Sequence, residues 1–568
     1  MAEMILPGTY IEERAEGLIS AGRVATGIVG IVGTAAAGPV DSPAALSGYA
    51  DALEKFGAPD DFNQPRDGTP LTLVRALKYL YGNGATSVIA VRAAKGGNDV
   101  NELDKMKAKY LVRDDAGNEV VKLAALTPGT WANDMQIKVE EAKSNAQIVR
   151  EQHKDPLNQL NYGHIAPLDK NQIRVYNGIT KQWVSPRVKY EQTNAVTPGA
   201  GEVVIVAATG ALKFPASEAP NVANGDMLEA FYEVDRNHCV QISLTFGAKS
   251  EVYTVPDGRW LAELISNKKQ PSKLVTATVD VARGTQKPKR LDKPEFFGAG
   301  SNTGNNGADA GAEDYARGLN ALANKLVNIV VLAGQDVDKR GTELLDHLKS
   351  TEETDHERIG VIGAKPDDFL TLNKSDGRLI VVAPGLIEKD KNETITELPT
   401  GYTAAAVAGL ISSLPVQASL TNKPINLPGL RSADEFNRGE QIELLKGNLL
   451  TIINKEKSLR VLRGITTAGE GTPFALITTR RIVDYAKYGV RSAANPYLGR
   501  LNNARVRAAL KATIDGFLTR MVNDEALTSY MLDVAATRSQ EIAGEVSVIM
   551  TLQPTFSIEF IRVVMNLQ

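Results

Sequence analysis

The last 25 residues, from Gly544 to Gln568, limit what this chain can become more than any other stretch. They read as two strands hinged at Pro554. In the first, Val546, Val548, Met550 and Leu552 fall on one face of a pleat whose side chains alternate with period two. In the second, Phe556, Ile558 and Phe560 share a face while Ser557 and Glu559 take the other. From Ile561 the apolar residues change sides, to Ile561, Val563, Met565 and Leu567. A terminal strand that is apolar on both faces in turn cannot be left in water, and its backbone N–H and C=O groups need partners as well. The chain must either cover this stretch itself or hand it to another molecule.

The rest of the chain is long enough to bury a sizeable core. A prior of about 150 residues per domain gives three or four domains for 568 residues. With 43% hydrophobic and 23% charged residues the composition is that of ordinary globular protein. The formal charge of −3 offers no bulk electrostatic case for nucleic acid. The single cysteine, Cys239, leaves no intramolecular disulfide framework and no Cys-rich zinc site. The opening Met-Ala-Glu-Met-Ile-Leu-Pro-Gly lacks the basic and long apolar regions of a signal peptide. No run of 18 uncharged apolar residues suggests a membrane span.

Taken in order, residues 1–23 form an extended arm in which Pro7-Gly8 makes a turn before the β-prone Thr9-Tyr10-Ile11. An α/β unit follows over 24–95: a buried strand at 24–32, helices at 47–56 and 70–81, and a strand at 87–92. That order implies a parallel pairing with a right-handed crossover. From 96 to 297 the texture changes to short β-like runs (137–139, 173–176, 202–207, 240–246, 274–281) between Pro, Gly and Asn turns. This region reads as a β-rich insertion, left through a Gly/Asn-rich connector at 298–313 with the composition of a flexible linker. The α/β pattern resumes over 314–553, with strands at 327–333, 359–363 and 379–384. Helices are expected at 316–326, 341–351, 400–413, 435–446, 482–492 and 504–524. In the last of these Val506, Leu510, Ile514, Phe517, Leu518 and Met521 lie on one stripe. The expected class is therefore α/β (α+β), a core assembled from the N- and C-terminal parts around a β-rich insertion, with residues 554–568 as a C-terminal arm.

A search for chemistry finds little. Gly33-x4-Gly38 has the outline of a phosphate loop, but Pro39 and Val40 stand where the lysine and the Ser/Thr magnesium ligand must be. The five histidines show no metal-binding spacing. Cys239 beside His238 reads as a buried structural cysteine, because neighbours on a strand point to opposite faces. The acid-rich run Glu352-Glu353-Thr354-Asp355-His356-Glu357 could hold a cation but reads better as a solvated helix end. Arg480, Arg481, Lys487 and Arg491, with Arg500, Arg505 and Arg507 soon after, make the C-terminal region locally basic, near Tyr485, Tyr488 and Tyr497. Single-stranded nucleic acid could use such residues, yet interspersed acids fit a protein-facing or solvated surface equally well. No catalytic, cofactor or metal residues are assigned.

Several stretches together resemble the sheath proteins of contractile phage tails and related contractile injection systems. They are Pro7-Gly8-Thr9-Tyr10-Ile11-Glu12-Glu13; Val32-Gly33-x4-Gly38-Pro39 with Phe56-Gly57; Tyr81-Gly82-Asn83-Gly84-Ala85 through Val91-Arg92; and Thr127-Pro128-Gly129-Thr130-Trp131-Ala132-Asn133-Asp134, with Ala132 where the family usually has Gly. In the C-terminal half they continue as Leu445-Lys446-Gly447-Asn448, then Arg463-Gly464-Ile465-Thr466-Thr467, then Thr479-Arg480-Arg481-Ile482-Val483-Asp484-Tyr485. The order of these motifs along the chain carries the resemblance.

The resemblance implies a non-enzymatic structural subunit without cofactors, stacked as hexameric rings around an inner tube. Its partners would be itself, the inner tail tube protein, and baseplate and tail terminator proteins, with no direct nucleic acid and no stable membrane association. It implies a place in a virion tail assembled in the host cytoplasm, or in a cell-derived injection particle. Subunits would be joined by strand exchange through Tyr10, Ile11, Phe556, Ile558, Phe560, Val563 and Met565, with hinges at Gly8, Gly22, Gly544 and Pro554. On this reading residues 546–552 complete the subunit's own sheet, residues 555–567 are given away, and Arg480, Arg481, Lys487, Arg505 and Lys511 face the tube. The rival readings are an α/β nucleotide-binding enzyme using the Gly33–Gly38 loop, and a nucleic-acid-binding assembly protein.

Overall fold

Residues 28–33, 329–333, 359–363 and 379–383 are apolar runs without alternation, the pattern of strands covered on both faces. The computed structural model, which describes residues 25–191, 195–366, 368–369, 374–389, 394–431 and 435–566, makes them the centre of an eight-stranded sheet. Its order is Ala44–Leu46, Ser87–Arg92, Ile28–Gly33, Ile329–Asp336, Ile359–Gly363, Leu379–Ala383, Leu450–Lys455 and Ser458–Val461. The inner pairs are parallel, and only the two outermost pairs are antiparallel. The first helix starts at Tyr49 rather than at residue 47, because residues 44–46 pair as an edge strand on Ser87–Arg92.

Helices cover both faces. On one side Leu73–Gly82 and Thr400–Ser413 bury Leu73, Leu77, Tyr402 and Val407 against Val29, Ile31 and Val331. The second helix is almost entirely small residues because backbone passes close to it. A Cβ on Gly409 would lie 2.2 Å from the Leu80 carbonyl oxygen, and one on Gly401 2.5 Å from the Gln335 nitrogen. On the other side Ala312–Leu322 and Val337–Glu353 place Tyr315, Leu319, Leu344 and Leu348 against Val32, Val330 and Leu332.

The chain divides into two units: residues up to 98 with those from 307 onward, which hold this sheet, and Asp99–Asn306. The second unit is built from short, mostly antiparallel sheets. Val240–Phe246 lies between Lys249–Val255 and Gln136–Glu141, and Met227–Val234 between Ala146–His153 and Gln172–Asn177. Its core gathers Ile137, Ile148, Leu228, Tyr232, Ile242 and Leu244.

The Gly/Asn-rich stretch at 298–313 is not the solvated linker its composition suggests. Asn306 is buried and its Oδ1 accepts from the Thr130 N–H at 2.8 Å, while the Gly304 N–H donates to Asn133 Oδ1 at 2.7 Å. A Cβ on Gly304 would stand 2.3 Å from the Gly129 carbonyl, so this glycine serves close approach. From Ala312 the segment is already helix.

Candidate functional site

The phosphate-loop outline at Gly33–Gly38 is filled with protein. The Thr34 N–H donates to Thr72 Oγ1 at 3.1 Å and the Ala37 N–H to the Phe56 carbonyl at 3.0 Å. A Cβ on Gly33 would meet the Ala333 Cβ at 2.7 Å, so the glycine is there for packing. The acid-rich run after residue 351 is likewise spent on cations of the same chain. Glu352 pairs with Arg378 and Lys487, and Asp355 and Glu357 with Arg491. Among the described residues no group of three or more His, Cys, Asp or Glu side chains is placed to hold a metal. Cys239 is buried, and desolvation pushes its thiol up to about 11.

The unusual surface lies at the C-terminus. Helices Ile477–Ala494 and Ala504–Asn523 cross at Gly489, where a Cβ would fall 1.8 Å from Phe517 Cζ. Leu510, Ile514, Phe517, Leu518 and Met521 of the second helix are buried there, with Val506 partly so. On them packs a two-stranded antiparallel hairpin, Leu527–Ala535 with Ser547–Pro554, in the register Leu532↔Met550 and Val534↔Val548. Tyr530, Leu532, Val534, Val548 and Leu552 form its inner face, and the Tyr530 hydroxyl donates to Asp515 Oδ1 at 2.7 Å.

Residues 547–554 therefore do not extend the eight-stranded sheet. They pair with a strand of their own, and among the described residues each strand of the hairpin has no other partner. Both outer edges carry the open N–H and C=O groups that invite another strand. The hairpin turn is made by the short helix Arg538–Ala543. Thr537 and Gln540 cap it reciprocally, and Gly544, at φ +76°, stops it in the left-handed conformation.

Pro554 ends the second strand opposite Leu527. The Thr555 N–H donates to the Ala526 carbonyl at 3.1 Å, the last backbone hydrogen bond of the chain among the described residues. Beyond it residues 555–566 carry no regular structure, where the sequence suggests a second strand. Phe556, Ile558, Phe560, Ile561, Val563, Val564 and Met565 are 64–85% exposed. Glu559, in their midst, is not: its side chain is 9% exposed. It accepts from Arg463 Nε at 2.5 Å and from Thr421 Oγ1 at 2.9 Å. Burial works against the Arg463 charge, but Glu559 and then Glu470 outweigh it and hold the guanidinium above its usual pKa. The Phe560 ring lies 5.6 Å from the Arg463 guanidinium carbon. Tyr10, Ile11, Gly8 and Gly22 lie outside the described residues.

The basic group separates into two. Arg480 and Arg481, expected on an outward face, are each 5% exposed. Arg480 stacks at 3.9 Å on Phe474 and donates to Asp484 Oδ1 at 2.9 Å. Arg481 reaches the carbonyls of Leu414 at 2.9 Å, Pro415 at 3.2 Å and Thr26 at 3.4 Å, and desolvation lowers it to about 10. These two belong to the interior because carbonyls and an acid await them there. Lys487 is half-buried against Glu352 and Glu357. Arg505 and Lys511 are exposed, with Lys511 Nζ 3.6 Å from Asp533 Oδ1.

Similarity to known proteins falls on this same region and beyond it. Residues 308–467 match the model of the phage tail sheath protein central domain, and residues 470–568 that of the phage tail sheath C-terminal domain. Among solved structures, the sheath tail protein of Desulfitobacterium hafniense superposes with a TM-score of 0.56 at 13% identity, over 96% of this chain and 100% of its own. The sheath tail protein of Listeria innocua gives 0.55 at 12% identity, over 94% of this chain and 96% of its own. A search of curated protein sequences finds no match. Residues 308–467 and 470–568 thus match, in order, the central and C-terminal domains of phage tail sheath proteins, and the mixed α/β fold is shared with sheath tail proteins over 94–96% of the chain.

Proposed function

We propose that the protein is the repeating subunit of a contractile tail sheath, stacked as hexameric rings around an inner tube, whose shortening drives the tube through a target envelope. The observation that carries this reading is the pairing of an exposed apolar arm, residues 555–566, with a hairpin whose two edges are open. An arm that finds no strand in its own subunit and an acceptor with no strand to receive suit exchange between copies. In a neighbour, residues 555–567 and an N-terminal arm through Tyr10 and Ile11 add to the edges of the 527–554 hairpin. Main-chain hydrogen bonds then give affinity and alternate side chains give register. Six ladder bonds at roughly 0.5–1.5 kcal/mol net each supply several kcal/mol per junction before apolar burial is added.

Head-to-tail contacts that do not close on themselves extend into a helical tube. Gly8, Gly22, Gly544 and Pro554 let the arms bend while the sheet-bearing bodies move as solids, from a trapped extended packing to a compact one. Arg505 and Lys511, which are exposed, and the less exposed Lys487 face an inner tube protein, while Arg480 and Arg481 lie inside. A baseplate and a tail terminator bound the stack, in a virion tail or a phage-tail-like particle. Negative-stain microscopy of the purified chain tests the reading. Striated tubes are expected from the full chain, and none from a variant lacking residues 555–568; normal sheaths from the truncated chain refute strand exchange.

A further inference from the structure

The arm is turned the wrong way round for a segment at rest. Its apolar row faces water, and its one acidic side chain is tucked against the body. Glu559 enters at the rim of a groove of about 600 Å³ lined by Thr421, Ile442, Leu445, Leu462 and Arg463. There it takes a guanidinium and a hydroxyl, while Thr421 Oγ1 also accepts from the Gly464 N–H at 3.1 Å and is thereby fixed in place. Beyond Thr555 no backbone hydrogen bond among the described residues ties the arm down, so this one carboxylate is its polar anchor.

We propose that Arg463 and Thr421 form a latch that holds the donor arm of the unassembled subunit on its own body through Glu559, and that exchange with a neighbour begins when this carboxylate lets go. The inference rests on the strand-exchange reading above and adds a control to it. A single charge-assisted contact is strong enough to keep an apolar strand from pairing at random and weak enough to be traded for a ladder of main-chain bonds. The latch therefore sets the concentration at which subunits begin to join.

Arg562, exposed three residues beyond the latch, supplies the probe. Trypsin cleavage there removes residues 563–568 and is read by mass on the full chain, held dilute so that it stays unassembled. Cleavage of a segment that opens and closes rapidly follows the open population, so Glu559→Gln is expected to be cut about tenfold faster than the parent. Glu470→Gln, which removes the other carboxylate on Arg463, is expected to leave the rate unchanged or lower. In assembly followed by light scattering, Glu559→Gln is expected to form sheaths sooner. Added salt, by screening the pair, is expected to bring the parent toward the variant. Equal cleavage of parent and Glu559→Gln overturns the latch, as does slower assembly of the variant, which would place the work of Glu559 in the neighbour-bound state. Normal assembly of the chain lacking 555–568 overturns strand exchange instead, and the cleavage result still judges the latch.

Discussion

Arg378 and Arg463 each gather two carboxylates from distant parts of the chain, and the difference between them separates a permanent joint from a releasable one. Arg378 has a side chain 4% exposed. It holds Glu352 at 2.8 and 2.6 Å and Asp484 at 2.7 and 3.1 Å, bidentate to both. That fork ties the helix Val337–Glu353 and the helix Ile477–Ala494 to the entry of the strand Leu379–Ala383. Arg463 makes single bonds to Glu559 and to Glu470, and Glu470 is 75% exposed. Two bidentate forks on one buried guanidinium, the one to Asp484 (11% exposed) shut away from water, are costly to open; two single-toothed bonds are less so.

The largest expected effect comes from breaking the first joint. Arg378→Met leaves Asp484 with Arg480 and Glu352 with Lys487 alone, and the loss of one partner from a buried network is expected to lower stability by about 3 kcal/mol in denaturant unfolding. A change well below that would mean that Arg480 and Lys487 suffice to hold the two acids. Acid should find the same joint next. The hydrogen bond from Arg378, with help from Lys487 and against desolvation, lowers Glu352 to about 2 from the usual 4.5. Because the folded-state value is depressed, the carboxylate stabilises the fold above its unfolded pKa, and that contribution is lost as pH falls from 4.5 toward 2. Unfolding midpoints across this range should fall more gently in Glu352→Gln than in the parent. The smallest effect is expected at Arg463→Ala, about 0.5 kcal/mol in the same unfolding measurement, since the contact lies outside the packed core. A large loss there would make Arg463 a second structural joint and erase the contrast.

Much of the scaffold was legible in residue order. The strand at 359–363, the strand at 240–246 and the helix at 400–413 have the bounds that periodicity and length suggest. The strand Leu527–Ala535 is not among the expected elements, although Tyr530, Leu532 and Val534 alternate with period two and Thr537-x-x-Gln540 is a signal for the helix after it. Two adjacent arginines in a mixed-charge run read as surface. Their burial follows from partners that local reading cannot supply, such as the carbonyls of Leu414 and Pro415 for Arg481. The same holds for Glu559. Alternation placed it on the polar side of its strand, but Arg463 lies 96 positions earlier and only folding brings the two together.

The place of the strand Ile28–Gly33 gives the sheet a mechanical character. It runs parallel between Ser87–Arg92 and Ile329–Asp336, paired along six positions on one flank and four on the other. A tug on residue 25 along the strand axis cannot peel these bonds one at a time. It loads both ladders in shear, so that they share the tension and yield together. Arg481, gripping the Thr26 carbonyl, sits where such a line of force enters the body. A chain built this way can be pulled at residue 25 without its own sheet coming apart.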